Sequence, residues 1–397
     1  MASQKPSHNS LRVLMLHERL SARGGADRHL IAILHHLQGR AETLLAVGHD
    51  DQSLPPGERP GLGPWVRQKG LERGGLNGRG GQGVVRRLKG LIADCRPHVL
   101  HLHNVMDPAL MEVAAATGRA LMTVQDHRVF CPGLGKLTPT GAVCQTPLGQ
   151  GCLACFDDQD YGRRLIDLTR RRLEALKGLR LVLVLSRYMA AELMAVGLDP
   201  GRIQVLPPFV QGLEPPAQPQ AQTHHLLACR LVERKGVAVA CRAAVLPRDD
   251  LPLVVAGDGP LAPEVARLAA AHPQRLRYFG WAGRQQMGRL LAGAASLWLP
   301  SLWAEPFGIA GLEALALGVP VVASRVGGVE DWLRHGVNGL LLPPGDAPAL
   351  AEAAARLAGP EGRRLGAAGA AGVAAHFGHN GLMERLLAHY RAVADGA

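Results

Sequence analysis

The stretch Ser296–Gly328, SLWLPSLWAEPFGIAGLEALALGVPVVASRVGG, leaves the backbone few choices. It opens on an apolar run, Leu297–Leu299, of strand length, and breaks at the turn pair Pro300–Ser301. A loop with Glu305, Pro306, Phe307 and Gly308 follows. From Ile309 the apolar positions Leu312, Leu315 and Ala316 recur with helical spacing, until Gly318 and then Pro320 end the run. Val319–Ala323 is short, apolar and β-branched, as a strand covered on both faces must be. The order strand, loop, helix, strand belongs to a parallel α/β sheet.

That unit has a chemical use. A helix N-terminus offers unpaired backbone N–H groups and a partial positive charge, so it receives phosphates and electron-rich hydroxyls. Gly308 has no Cβ, which lets a ligand approach the backbone of Phe307–Ile309. Glu305 and Glu313 stand eight residues apart, about 12 Å of helical rise, so they can reach two ends of one extended ligand. A structural alternative stays open: Glu305 as a favourable charge near the positive helix end and Glu313 as a solvated helix residue.

The chain's 397 residues suit two domains better than one. Of these, 47% are hydrophobic but only 4% aromatic, so the core is built from Leu, Val and Ala. No apolar run approaches the roughly 20 residues of a membrane span. The polar start, MASQKPSHNS, leads straight into a strand, and the expected location is cytoplasmic. The net charge is +11, from 44 Lys and Arg against 33 Asp and Glu. Residues 1–200 hold 26 against 18, leaving 18 against 15 for the rest. The N-terminal half is therefore the one suited to an anionic surface such as lipid phosphate, and peripheral membrane association is an expected form of that contact. A nucleic-acid partner is not expected, because no helix-turn-helix, RNP-like or aromatic-interleaved basic stretch accompanies the charge.

In chain order, Leu11–Leu16 is a first strand, followed by Ser21-Ala-Arg-Gly24-Gly25-Ala-Asp-Arg28 and a helix through Leu30, Ile31, Leu34 and Leu37. A Gly-Gly turn between strand and helix is where α/β folds bind ligands, and also where many merely turn. Thr43–Val47 is a second strand. Gly57–Gly83, rich in Gly and Arg, reads as a weakly structured insertion, and Val84–Ala93 as a helix. Pro97–His103 is a strand that sets His101 and His103 on one face, either as hydrogen-bonded core imidazoles or as ligands of a common group. The strand Leu121–Val124 runs into Gln125, Asp126 and His127. Cys131, Cys144, Cys152 and Cys155 then fall close together in a Gly- and Pro-rich stretch, ending in C-x-x-C. Two explanations compete for them: a structural zinc site of four thiolates, or unmetallated thiols, with redox chemistry a third. Cys95, Cys229 and Cys241 sit in apolar surroundings as core thiols. An Arg-rich helix over Leu165–Leu179, strands at Leu181–Leu185 and Ile203–Leu206 and a helix at Met189–Gly197 continue the βα rhythm.

Five prolines in Pro207–Thr223 mark a linker. The expected organisation is a first domain over 1–207 carrying the cysteine-rich insertion 131–155, a linker over 208–223, a second domain over 224–375 and a final helix over 376–397. The second domain opens on His224–Ala228 as a strand, then Cys229-Arg230-Leu-Val-Glu-Arg-Lys235-Gly236. Arg230 and Lys235 flank a strand-to-helix turn, where two cations can clamp a diphosphate. Leu253–Ala256 leads into the tight turn Gly257-Asp-Gly259-Pro260.

E-P-F-G-I-A-G-L-E with A-L-A-L-G-V-P-V-V-A-S, together with R-L-V-E-R-K-G, resembles the E-x7-E and R-L-x-x-x-K-G motifs of retaining glycosyltransferase family 4. The resemblance implies a GT-B fold: α/β, two Rossmann-like domains facing across a cleft, the first (1–207) binding the acceptor, the second (224–375) the nucleotide sugar, with the C-terminal helix 376–397 crossing back to the first. It also implies the roles of individual residues. Arg230 and Lys235 hold the donor diphosphate, Glu305 lies beside the transferred sugar, and Glu313 takes the ribose. The amides of Phe307, Gly308 and Ile309 meet sugar hydroxyls or the diphosphate, the Gly257–Gly259 turn lies below the nucleotide, and Gly24 and Gly25 touch the donor phosphate or the acceptor. Gln125 stands where family members carry a histidine near the donor sugar, so Asp126 or His127 takes that role, or none is needed. The implied reaction moves a hexose from a nucleotide-diphosphate sugar to a hydroxyl of a glycan, lipid-linked or small-molecule acceptor. No cofactor is required for catalysis, since the donor loop has no D-x-D-like site. Rival classes are a nicotinamide-dependent oxidoreductase, which lacks a G-x-G-x-x-G after its first strand, and a zinc-stapled basic binding module, which leaves the paired charges unexplained.

Overall fold

The computed structural model describes residues 10–56, 59, 62–74, 81–210, 221–246 and 249–396. The chain divides into two compact units, each built on its own sheet. The first comprises Met1–Gly135, Gln145–Pro207 and Asn380–Ala397; the second comprises Lys136–Cys144 and Pro208–His379. Most of the expected linker, residues 211–220, lies outside the described residues.

The first unit alternates β1 (Arg12–Leu20), α1 (Gly25–Leu37), β2 (Glu42–Asp50), β3 (Trp65–Arg67), α2 (Gly81–Cys95), β4 (Val99–His103), α3 (Pro108–Ala115), β5 (Ala120–Val124), α4 (Gln159–Lys177), β6 (Leu181–Val184), α5 (Arg187–Ala195) and β7 (Ile203–Val205). All pairings are parallel, in the order β3-β2-β1-β4-β5-β6-β7. β4, β5 and β6 are buried at every position, as unbroken apolar runs require when helices cover both faces. Side-chain caps start the helices where the sequence allows: Asp107 accepts from Ala109 N at 3.0 Å for α3, and Asp158 from Tyr161 N at 2.9 Å for α4.

The second unit runs β8 (His224–Ala228), α6 (Val237–Ala244), β9 (Leu253–Ala256), α7 (Ala262–Ala271), β10 (Leu276–Gly280), α8 (Arg284–Ala292), β11 (Ala294–Leu299), α9 (Ile309–Ala316), β12 (Val321–Ser324), β13 (Gly339–Leu342), α10 (Ala347–Leu357) and α11 (Pro360–His376). Its strands are parallel in the order β10-β9-β8-β11-β12-β13. The last helix, α12 (His379–Ala394), packs with the first unit, where Tyr390 is fully buried.

Two expectations need correction. Within Gly57–Gly83, Trp65–Arg67 pairs with β2 as an edge strand and α2 begins at Gly81; residues 57, 58, 60, 61 and 75–80 lie outside the described residues. Three exposed residues show no alternation, so only pairing with β2 reveals the strand. β1 also runs on to Leu20, past the expected end at Leu16, and so carries His17 and Glu18 into the core. Among the described residues, no helix is long and apolar enough to cross a membrane.

Sheet order decides where ligands go. In each unit the strand order reverses once, between β1 and β4 and between β8 and β11. The crevice beyond the carboxyl ends of such strands is the binding place in open α/β sheets. The loops there are Ser21–Gly24 and Asn104–Asp107 in the first unit, and Cys229–Gly236 and Pro300–Gly308 in the second.

Candidate functional site

In the second unit the two switch-point loops are tied together. Leu302 N donates to the Arg234 carbonyl at 2.9 Å. Gly236 turns at φ +69°, and a Cβ there would collide with the Pro300 carbonyl. This closeness delivers the Lys235 ammonium to Glu305, at 2.7 Å from Oε1 and 2.9 Å from Oε2. Glu305 is only 2% exposed and also accepts from the Ser301 hydroxyl. Burial pushes its carboxyl up, but the Lys235 charge and the hydrogen bonds from Lys235, Ser301 and Trp303 outweigh that and hold it below the usual carboxylate value. The Trp303 ring lies under both Arg234, 4.7 Å from its centroid, and Lys235, at 5.2 Å. The neighbouring thiol of Cys229 is pushed up to about 12 by burial, so it is inert.

The other residues of the second motif set fall around this pair. Gly328 N donates to the Glu305 carbonyl at 2.7 Å, so the turn after β12 buttresses it. Phe307 is a buried core side chain whose carbonyl accepts from the Trp332 indole at 2.6 Å. Gly308, at φ +89°, turns the chain into α9, whose first turn has no side-chain cap. Ile309 opens that helix and Glu313 lies half-buried on it. The Gly257–Gly259 turn abuts the clamp loop, with Leu231 N donating to the Asp258 carbonyl at 2.9 Å. Arg230 is exposed, and its guanidinium has no partner among the described residues. The structure thus joins Lys235 to Glu305 and leaves Arg230 open.

In the first unit the switch point is lined by groups that sequence reasoning missed. His17 and Asp27 pair at 2.9 Å. Glu18 takes the Met106 amide at 2.7 Å and Arg128 at 3.1 Å; burial lifts its carboxyl above the usual value against the pull of Arg128. The buried Arg172 donates to the carbonyls of Met106, Arg128 and Gly74, with its pKa lowered to about 10 chiefly by burial. A charged pair directly after the apolar run of β1 was the available signal. Of the residues expected near the sugar, Asp126 is engaged by Arg128 at 2.8 Å and His127 meets the Tyr188 hydroxyl at 3.2 Å. The Gln125 amide nitrogen is 3.4 Å from His103 Nδ1, while its buried oxygen has no hydrogen-bond partner among the described residues. His101 hydrogen-bonds Tyr390 at 2.6 Å and Thr123 at 2.7 Å, and its ring lies 3.8 Å from that of His103. These two are core imidazoles.

Cys131, Cys144, Cys152 and Cys155 form no disulfide, and among the described residues no group of three or more His, Cys, Asp or Glu side chains is placed to hold a metal ion. The 3₁₀ turn Gln150–Cys155 brings Cys152 to within 3.7 Å of the Pro147 carbonyl.

Two family models cover most of the chain: "Glycosyltransferase Family 4" over residues 23–211 and "Glycosyl transferases group 1" over residues 222–359. The chain belongs to glycosyltransferase family 4. Among curated relatives of this family 4 chain, the amylovoran biosynthesis glycosyltransferase AmsK of Erwinia amylovora is 30% identical over 45% of this chain and 47% of AmsK. A GDP-mannose-dependent monoacylated alpha-(1-6)-phosphatidylinositol monomannoside mannosyltransferase of Corynebacterium glutamicum is 33% identical over 41% of this chain and 46% of its own. The chain thus spans a little under half the length of these relatives. Among solved structures, Anabaena HepE in complex with UDP-glucose superposes with a TM-score of 0.72 at 18% identity, over 96% of this chain and 100% of HepE. At that identity the likeness speaks for fold, and the fold is GT-B.

Proposed function

We propose that this chain is a retaining glycosyltransferase that moves a hexose from a UDP- or GDP-sugar to a hydroxyl of a glycan, lipid-linked or small-molecule acceptor. One observation carries this: Lys235 is fixed by the buried Glu305 beside a free Arg230, on loops that meet at the switch point of the second sheet. Glu305 neutralises Lys235 at rest, and an incoming diphosphate supplies the charge that Arg230 and the partly released ammonium receive.

The bond from the anomeric carbon to the diphosphate oxygen breaks first, with the two cations stabilising the leaving group. The acceptor oxygen then bonds to the same face of that carbon, and its proton passes to the departing phosphate oxygen. No protein base is obligatory. Because the Glu305 carboxylate already receives Lys235 and Ser301, it acts first by aligning the ammonium, and turns to the donor sugar as Lys235 moves to the diphosphate. The α9 N-terminus offers its amides to the same donor. Likeness to the GDP-mannose-dependent enzyme supports a guanosine donor, and a uridine donor is the alternative that the melting test separates from it.

Thermal melting with UDP, GDP, ADP and NAD in turn tests this. At about a hundred times Kd a ligand adds about 2.7 kcal/mol, enough to raise the midpoint by several degrees. The expected outcome is a shift with UDP or GDP that disappears in Arg230→Ala. A shift with NAD alone would overturn the proposal.

A further inference from the structure

We propose that His17 is a positioning residue: it clamps Asp27 against the Ser21–Gly25 loop and so sets the entry of α1 at the first unit's switch point. The His17 ring is 2% exposed and lies between two oxygen acceptors. Nδ1 is 3.1 Å from the His103 carbonyl oxygen, and Nε2 is 2.9 Å from Asp27 Oδ1. Neither oxygen has a proton to give, so the ring serves both only when both nitrogens carry hydrogen. Asp27 passes the constraint on. The same Oδ1 accepts from Ser21 N at 3.1 Å, and its carboxylate lies so close to Gly24 that a Cβ there would collide with Oδ2.

Asp27 sits in the first turn of α1, where an acidic side chain ordinarily caps its own helix. Here it serves the loop and His17, and the first turn of α1 has no side-chain cap. Gly24 is thus dictated by the clamp as well as by any ligand above it. The groups around His17 set it apart from the other buried rings. His103 lies edge-on with centroids 6.5 Å apart, and it, His101 and His29 are held neutral by burial. His101 faces the neutral hydroxyls of Tyr390 and Thr123, whereas His17 faces a carboxylate. The Ala22 end of the loop is held separately by the Ser53 hydroxyl, 2.8 Å from Ala22 N.

Hydrogen exchange on the full chain tests the clamp. In His17→Asn and in Asp27→Asn, amide exchange over Ser21–Asp27 is expected to rise about tenfold, the scale of losing one charge-assisted hydrogen bond. The double variant should rise little further, because both changes break one contact. Peptides from β4 and β5 should exchange as in the parent. Gly24→Ala, which displaces Asp27 while keeping His17, should loosen the same segment. Unchanged protection in His17→Asn, or loosening spread through β1, β4 and β5, would overturn the proposal.

The link to catalysis rests on the proposed function and has its own readout. In His17→Asn, kcat for UDP-glucose or GDP-mannose cleavage should fall while the affinity for UDP or GDP stays at the parent value. If the parent turns over neither sugar, the proposed function fails while the exchange experiment still decides the clamp.

Discussion

Lys235 and Glu305 were each singled out by motif, one for the diphosphate and one for the sugar, yet the structure makes them one unit. An ammonium bonded to a nearly inaccessible carboxylate is worth most when one partner is removed, because the other is left buried and uncompensated. Lys235→Ala is therefore expected to lower kcat about 10²-fold or more, the scale of one preorganised charge contact, and to destabilise the fold by about 3 kcal/mol. Urea unfolding beside initial-rate assays separates the two effects: Lys235→Ala combined with Glu305→Gln should recover stability and not turnover. The folded value of Glu305 is depressed, so its stabilising contribution is present at neutral pH and is lost as pH falls below 4.5 and through that folded value.

At the scale of elements, the fold works through loops that leave parallel strands and meet neighbours across the switch point. Gly236 is the tightest joint, combining a left-handed φ of +69° with the Pro300 carbonyl where a Cβ would stand. Gly236→Ala is expected to cost about 1–3 kcal/mol for the backbone conformation alone, and to lower the melting midpoint by several degrees. Calorimetry of that variant checks this, with Gly318→Ala for comparison, since Gly318 shares a positive φ but has nothing crowding its Cβ position. Much of this was legible in the sequence. β8, β9, β11, β12 and the helix after Gly308 follow from apolar runs and Gly/Pro stops, signals confined to adjacent residues. The edge strand Trp65–Arg67 was not legible, because pairing with β2 defines it, and neither was the extension of β1 through His17 and Glu18, because polar residues end an apolar run on paper while hydrogen bonds accommodate them in the core.

For the molecule as a whole, the first unit's buried imidazoles set an acid limit. Burial lowers His29 to about 4 and pushes His101 and His103 well below the usual 6.5. The unfolded chain therefore binds more protons than the folded one between those folded values and 6.5, so this stability is fully present above 6.5 and drains away as pH falls. The expected outcome is a melting midpoint several degrees lower at about pH 5 than at about pH 7, followed by the loss of protection in α12, whose Tyr390 depends on a neutral His101. Hydrogen exchange across α12 at the two pH values checks the order of events.

The sequence by itself determined the βα alternation, the two sheets and the motif loops, because strand and helix periodicity, glycine turns and caps act over a few residues. Only the tertiary structure decided which side chains meet. Lys235 and Glu305 are 70 residues apart, His17 reaches a carbonyl 86 residues away, and His101 finds Tyr390 at a distance of 289. Such contacts depend on strand order and on which loops the switch points bring together, and the spacing of residues along a chain carries neither.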